Sequence, residues 1–238
     1  MPELKYRRLL VKLSGEALMG QYDFGIDPQM IRDLANALLL LQRSGVELGI
    51  VIGGGNIFRG AGLAEAGVDR VTGDHMGMLA TVMNALALKD GLQKQGLKVS
   101  VMSGLSMPQV CDDYTQRDAR ERIGNGEIVI FSAGTGNPYF TTDTGASLRA
   151  IEIQADLMIK ATRVDAIYDS DPEKNPHAVK YDHLTYDQAI NQRLGVMDIT
   201  AMVLCQQNNL EMAVCNINEP NALLALAQGE SLGTRVSN

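Results

Sequence analysis

Residues 46–60 read Val-Glu-Leu-Gly-Ile-Val-Ile-Gly-Gly-Gly-Asn-Ile-Phe-Arg-Gly. The apolar run Val46 to Ile52 has the length and branched content of a buried strand, and it passes without a linker into Gly53-Gly54-Gly55. A buried strand that ends in glycines is the form of a strand–turn–helix unit whose turn lets backbone N–H groups approach an anion. An ordinary tight turn is the competing reading of the three glycines. Two familiar phosphate signatures do not apply. Gly55 and Gly60 have the separation of a Walker loop, but Ala61-Gly62 stands where Lys-Ser or Lys-Thr is required, and Phe58 occupies the place of the third glycine of a dinucleotide fingerprint.

The same alternation of strand and helix extends outward in both directions. Upstream, Arg8 to Leu13 reads as a strand, and Asp27-Pro28 opens a helix with Ile31, Leu34, Ala35, Leu38 and Leu41 on one face and Gly45 at its end. Downstream, the spacing predicts a helix from Asp74 to Gln95 with Met76, Leu79, Met83 and Leu86 along its apolar face. Strands follow at Lys98 to Met102 and Glu127 to Ser132, then a helix from Asp143 to Gln154 and a strand from Asp156 to Ala161. A turn-rich stretch from Tyr168 to Pro176 leads to helices at Tyr186 to Arg193 and Asp198 to Asn208, a strand at Met212 to Asn216 and a helix after Pro220. Repeated βα units of this kind build a mainly parallel sheet covered by helices. With no repeat and no long linker, residues 1–238 read as one α/β unit with two lobes.

Composition narrows the function. The 238 residues, 45% of them apolar, are enough to close a sizeable core. A balance of 21 basic against 28 acidic residues gives a net charge of -7 with no basic stripe, which argues against nucleic acid as a partner. Mean hydropathy is -0.04, and no apolar run reaches the roughly 18 residues of a membrane span. The start, Met1 to Arg8, carries no export pattern. Cys111, Cys205 and Cys215 form no C-x-x-C pair, and His75, His177 and His183 are far apart, so free thiols in a reducing cytoplasm are expected and structural zinc is not. A net negative chain that handles phosphates must do so with local N–H groups and a few placed cations.

Ligands of open α/β sheets bind beyond the carboxyl ends of the strands, and four of the loops there have unusual composition. Lys12-Leu13-Ser14-Gly15 places a lysine at the end of a buried strand, where it either serves an anion or snorkels at the sheet edge. The triple-glycine turn is the second. Thr135-Gly136-Asn137-Pro138-Tyr139-Phe140-Thr141-Thr142-Asp143 is dense in hydroxyl and amide groups and ends at a helix start, where Thr142 or Asp143 is also a candidate N-cap, as Asp74 is for its own helix. The fourth, Lys160 to Pro172, has a second strand-end lysine followed by Tyr168 and Asp171, suited to an adenine and a ribose or to an ordinary acidic turn. Two strand-end lysines, a glycine turn and a hydroxyl-rich loop on one sheet converge on phosphoryl transfer, and no histidine pair or serine–histidine–acid set competes.

Four motifs carry a resemblance: Lys-Leu-Ser-Gly-Glu-Ala at 12–17, Val-Ile-Gly-Gly-Gly-Asn-Ile-Phe-Arg-Gly at 51–60, Gly-Asp-His-Met-Gly-Met-Leu-Ala-Thr at 73–81 and Thr-Gly-Asn-Pro-Tyr-Phe-Thr-Thr-Asp at 135–143. With them the sequence resembles the bacterial uridylate (UMP) kinases of the amino acid kinase superfamily, from about residue 7 to 235. The third and fourth motifs separate these from acetylglutamate, carbamate and aspartate kinases. The resemblance implies a three-layer αβα sandwich that phosphorylates UMP from ATP with Mg²⁺, UMP on a lobe of residues 1–155 and ATP on a lobe of residues 156–238. It implies Lys12, Lys160 and Asp143 as catalytic residues. Leu13, Ser14, Gly15, Gly55, Thr162, Tyr168 and Asp171 are implied around ATP, Gly54, Asp74 and the span Thr135 to Thr142 around UMP, and Arg59 at both. No metal site held by the protein alone is expected.

The resemblance further implies a homohexamer in the cytoplasm, with UTP as an inhibitor sharing the uracil pocket and GTP as an effector. The loop Gly20-Gln21-Tyr22-Asp23-Phe24-Gly25 resembles the region tied to activation, whereas the segment 89–127, with Lys89, Gln93, Ser100, Gln116 and Glu127, shows no basic cluster for a GTP site. Two alternatives stay open at this stage: a kinase of another small anionic acceptor, and a nucleotide-binding storage protein of the same fold without this turnover.

Overall fold

Strand β1 (Arg8–Leu13) runs through the middle of a nine-stranded sheet in the computed structural model, which describes residues 3–58, 67–172, 174–219 and 221–238. Its neighbours are β2 (Glu47–Ile52) and β6 (Leu157–Thr162), both parallel to it. Beyond β2 lie β5 (Ile128–Ser132), β3 (Val99–Ser103) and the short β4 (Asp112–Asp113). Beyond β6 lie β10 (Glu211–Asn216), β11 (Thr234–Ser237) and β9 (His183–Thr185). Within this sheet, among the described residues, only the β10–β11 pair is antiparallel. Between β6 and β9 in the chain, β7 (Ile167–Tyr168) and β8 (Lys180–Tyr181) form a separate antiparallel ribbon.

Alternation along the strands divides the core in two, as a sheet buried on both faces requires. Leu9, Val11, Leu13, Ile50 and Ile52 face α1 (Pro28–Arg43), α2 (Arg70–Lys94) and α7 (Ala222–Ala227). Leu10, Val51, Phe131 and Met158 face the layer of α3 (Gln116–Gly124), α4 (Thr142–Glu152), α5 (Tyr186–Asn191) and α6 (Ile199–Gln207). The result is the expected αβα sandwich. Helix α1 has the predicted punctuation: the Asp27 carboxylate accepts from the Gln29 amide, Pro28 takes the first turn, and Gly45 adopts a φ of +92° just past the end. All three cysteines are buried and unpaired; the Cys205 thiol donates to Ser147 Oγ at 3.2 Å, and burial pushes the Cys215 thiol up to about 12.

Three expectations are corrected. Helix α2 begins at Arg70, with Asp69 as its cap accepting from the Thr72 amide, so Asp74 lies inside the helix and caps nothing. Three of the four residues of its predicted apolar face are turned to solvent: Met76, Leu79 and Met83 are 41%, 47% and 55% exposed, Leu86 is half-buried against the core, and Met78, Val82, Ala85 and Leu92 are buried instead. Both stripes satisfy the helical period in a helix this rich in apolar residues, so periodicity alone did not choose between them. At α4 the cap is Thr141, whose hydroxyl accepts from the Thr144 amide, rather than Thr142 or Asp143.

Candidate active site

Lys12 and Lys160 are register partners on β1 and β6, and both side chains emerge on the α4 face of the sheet near the carboxyl ends of their strands. Asp143, in the first turn of α4, stands between them. Its Oδ1 is 2.9 Å from Lys12 Nζ and its Oδ2 accepts from Lys160 Nζ at 2.9 Å. Lys160 also donates to the Val196 carbonyl. The three side chains are only 13%, 16% and 16% exposed. Burial opposes the charged form of Asp143, but the two ammonium groups outweigh it and hold the carboxyl below its ordinary value. Burial, reinforced by the charge of Lys12, lowers Lys160 despite the pull of Asp143. Two cations and one anion leave a net positive charge at the strand ends of an acidic protein, and the amino end of α4 adds the positive end of its dipole.

A cavity of about 280 Å³ is lined by Gly54, Gly55, Asp74, Thr81, Thr135 and Asn137 among others, together with Phe140, Thr141 and Thr142, the last next to Asp143 in the chain. A Cβ at Gly54 would lie 2.8 Å from that of Ala80 and 2.9 Å from the Gly77 carbonyl, so only glycine lets the turn after β2 press against α2 here. Asp74 accepts from the Tyr139 amide at 2.7 Å and from Arg70 Nε at 2.9 Å, which ties the loop after β5 to α2. Desolvation resists the Asp74 charge, and these donors overcome it to keep the carboxyl below its usual range. Gly136, Pro138 and Tyr139 do not line the cavity: Gly136 packs on Gly104, where a Cβ would lie 2.4 Å from the carbonyl oxygen, and the Tyr139 ring is 66% exposed.

A larger cavity of about 590 Å³ is lined by Lys160, Thr162, Tyr168, Asp171, Gly195 and Val196, with further residues of the β6–β7 and α5–α6 connections. The Tyr168 hydroxyl donates to Asp165 Oδ1 at 2.8 Å, fixing the ring, and the Thr162 hydroxyl bonds Val164, closing the turn after β6. Gly15 packs on the glycine turn, since a Cβ there would lie 2.6 Å from the Gly53 carbonyl oxygen. Ser14 sits at the start of a 3₁₀ turn, Gly15–Leu18, without capping it by its side chain. The Leu13 side chain is fully buried in the core, so only its backbone faces the site. Arg59 lies outside the described residues. In the loop from Gly20 to Gly25, Tyr22 and Phe24 are exposed, and both backbone groups of Gly25 are held by Asn56.

Several contributing residues had no signal in the sequence. Asp198 accepts from the hydroxyls of Thr141 and Thr144 and caps α6 through the Ala201 amide, joining two helix starts beside the triad. Asn84, fully buried on α2, exchanges hydrogen bonds with Asn56 and donates to the Gly53 carbonyl. Asp198 precedes an apolar run and is legible as a cap; its reach to the β5 loop is a tertiary fact.

The sequence profile of the amino acid kinase family matches residues 7–216. The uridylate kinase of Xanthomonas oryzae pv. oryzae is 57% identical over 236 residues, covering 99% of this chain and 98% of that protein. That of Pseudomonas putida is 55% identical over 232 residues, with 98% and 94% covered. Among solved structures, the UMP kinase from Bacillus anthracis aligns with a TM-score of 0.95 at 38% identity over 98% of this chain and 96% of that one. The UMP kinase from Ureaplasma parvum gives 0.92 at 37% over 99% and 100%. The chain belongs to the amino acid kinase family and, within it, to the uridylate kinases.

Proposed function

We propose that the chain transfers the γ-phosphoryl group of ATP to UMP, giving UDP and ADP as a step of pyrimidine nucleotide synthesis. One observation carries this reading: two buried lysines share a single carboxylate, Lys160 lines a cavity of about 590 Å³, and Thr142, next to Asp143 in the chain, lines a second of about 280 Å³. UMP binds in the smaller cavity through Gly54, Asp74 and the loop Thr135 to Thr142. ATP binds in the larger one with Thr162, Tyr168 and Asp171 around the nucleoside and the backbone of Leu13 to Gly15 and Gly55 on the phosphates. The acceptor lobe is then residues 1–155 and the donor lobe residues 156–238.

The chemistry needs charge neutralisation more than proton transfer. The second phosphate pKa of a monophosphate is about 6, so the attacking oxygen of UMP is already anionic near neutral pH and needs no general base. Lys12 and Lys160 stabilise the charge that spreads over the transferring oxygens, and Asp143 keeps the two ammonium groups apart and aimed. Mg²⁺ would be brought by the ATP phosphates, while Asp143 is shared by the two lysines. The cation supplies further neutralisation of the β- and γ-oxygens when bound.

The enzyme works in the cytoplasm as a homohexamer, inhibited by UTP through the uracil pocket. The exposed stripe Met76, Leu79 and Met83 on α2 supports association, since contiguous apolar surface on a soluble chain marks contact sites. GTP acts, where it does, through the aromatic loop Gly20 to Gly25, which Asn56 links to the glycine turn. A turnover assay with ATP and a panel of acceptors tests the reading. UMP is expected to react with kcat/KM well above CMP, glutamate derivatives, aspartate and carbamate. Equal use of CMP removes the base specificity, and turnover of an amino acid or carbamate alone removes the assignment.

A further inference from the structure

The loop that reads the acceptor base begins with a turn that an L residue resists. Ala133 has a φ of +58°, Gly134 of +54° and Gly136 of +79°. Something outside the loop must hold this conformation, and two groups do. The Thr81 hydroxyl on α2 accepts from the Ala133 amide at 2.8 Å. From the opposite layer, the Arg149 guanidinium of α4 donates to the Gly134 carbonyl at 3.1 Å. Thr81 lines the acceptor cavity, whereas Arg149 does not.

Arg149 is only 5% exposed, an unusual place for a cation. Its other amino nitrogen donates to Glu152 Oε2 at 2.7 Å, and that oxygen also accepts the Tyr114 hydroxyl at 2.6 Å. The Cζ of the guanidinium lies 3.6 Å from the centroid of the Tyr114 ring. The ring is fixed in turn by an edge contact with Phe131 on β5, at 5.7 Å and 80°, and by its own amide, which donates to the Ser103 carbonyl. The guanidinium, seated on an aromatic face, spends one amino nitrogen of its planar fork on the Glu152 carboxylate and the other on the carbonyl of the loop's first turn. Gly145, one helical turn before Arg149, presses the same residue from below: a Cβ there would lie 3.1 Å from Gly134 Cα.

We propose that Arg149 is the positioning residue of the acceptor loop, fixing Gly134 and through it the span Thr135 to Thr142 that sets the choice of pyrimidine base. The inference rests on the reading of the smaller cavity as the UMP site. Arg149 touches no substrate; it acts through the backbone of the turn. Lysine at this position keeps the charge but loses the fork, so it holds either Glu152 or Gly134 and not both.

Steady-state kinetics of the full chain, with both KM values and the UMP-to-CMP preference, tests this beside melting temperatures. Arg149→Lys is expected to raise the KM for UMP by about ten-fold and to lower the preference for UMP over CMP by a similar factor, with the KM for ATP unchanged. Glu152→Gln is expected to move the same two quantities in the same direction by about three-fold, because it weakens the seat and leaves the arginine in place. Arg120→Ala removes a bond at the end of the same helix, from Arg120 to Gln154 Oε1 at 2.7 Å, and is expected to leave both KM values and the preference where they were. Should Arg149→Lys not fold, Glu152→Gln decides by the same readout. Variants with unchanged UMP KM and base preference, or with UMP and ATP KM rising together, overturn the inference while wild-type turnover of UMP leaves the parent reading intact. Absence of UMP turnover by the wild type overturns both.

Discussion

Lys12 and Lys160 are paired residue to residue across adjacent parallel strands, and the two oxygens of Asp143 meet one ammonium group each at 2.9 Å. A sheet places such partners about 4.8 Å apart at the backbone, too close for two like charges without an anion between them. The arrangement therefore stores positive charge where a phosphoryl group would pass. Lys12→Ala is expected to lower kcat by about 10² to 10³ while changing the KM for UMP little, since the charge matters most when negative charge spreads over the transferring oxygens. Steady-state rates of the folded variant check this, and a near wild-type kcat removes Lys12 from the mechanism.

The same triad gives stability a dependence on acid. The carboxyl of Asp143 lies below its ordinary value in the folded protein, because Lys12 and Lys160 overcome the burial that opposes its charge. A depressed carboxyl contributes stability that is fully present above the unfolded pKa and is lost as pH falls through the folded one. The melting temperature of the wild type is expected to decline below about pH 4. Asp143→Asn is expected to melt lower than the wild type at neutral pH, where it leaves two lysines unshared, and to show a shallower acid decline. Parallel acid curves for the two proteins would count against the linkage.

The two cavities predict a crossed pattern of affinities. Asp74→Ala is expected to raise the KM for UMP with little change for ATP, and Asp171→Ala to do the reverse. Loss of hydrogen bonds from a nucleotide to a charged carboxylate corresponds to about 1.5 to 3 kcal/mol, or roughly 10- to 150-fold in affinity. Because Asp69 and not Asp74 caps α2, the first variant is not expected to lose helix stability through a missing cap. An effect of Asp171→Ala on UMP alone would mean that the substrates are assigned to the wrong cavities.

Surface chemistry of α2 makes a further test. Met83 is 55% exposed in line with Met76 and Leu79, and a glutamate there would place a charge within any contact that covers the stripe. If the chain assembles through this stripe, as proposed, Met83→Glu is expected to lower its sedimentation coefficient while the melting of the individual chain is little changed. Identical sedimentation of the two proteins would place the contact elsewhere.

Most of the frame of this fold was legible because it rests on local chemistry. Buried strands of five or six residues, Asp27-Pro28 at a helix start and glycine at its end speak for themselves in the sequence. The short strands β4, β7, β8, β9 and β11 were not foreseen, because two to four residues hold no period and their pairing is decided by distant segments. In the site, Lys12, Lys160 and Asp143 could be singled out by type and place, and the structure brings them together. Asp198, Asn84 and Arg149 could not, since an aspartate before a helix, an asparagine within one and an arginine near the end of one are ordinary until their partners are known. The buried face of α2 was misread for the opposite reason, too many residues meeting one criterion.

The burial of Cys111, Cys205 and Cys215 makes the chain its own reporter of opening. A thiolate is the reactive form, and burial pushes all three thiols up from their ordinary value, so an alkylating reagent has almost nothing to attack in the native fold. Labelling must therefore wait for structural fluctuation. Cys205 packs through Ser147 against α4, the helix that carries Asp143, while Cys215 sits on β10 beside β6. Labelling rates at these two positions, with and without nucleotide, would separate fluctuation of the helix that carries Asp143 from unzipping of the sheet, with no probe added to the sequence.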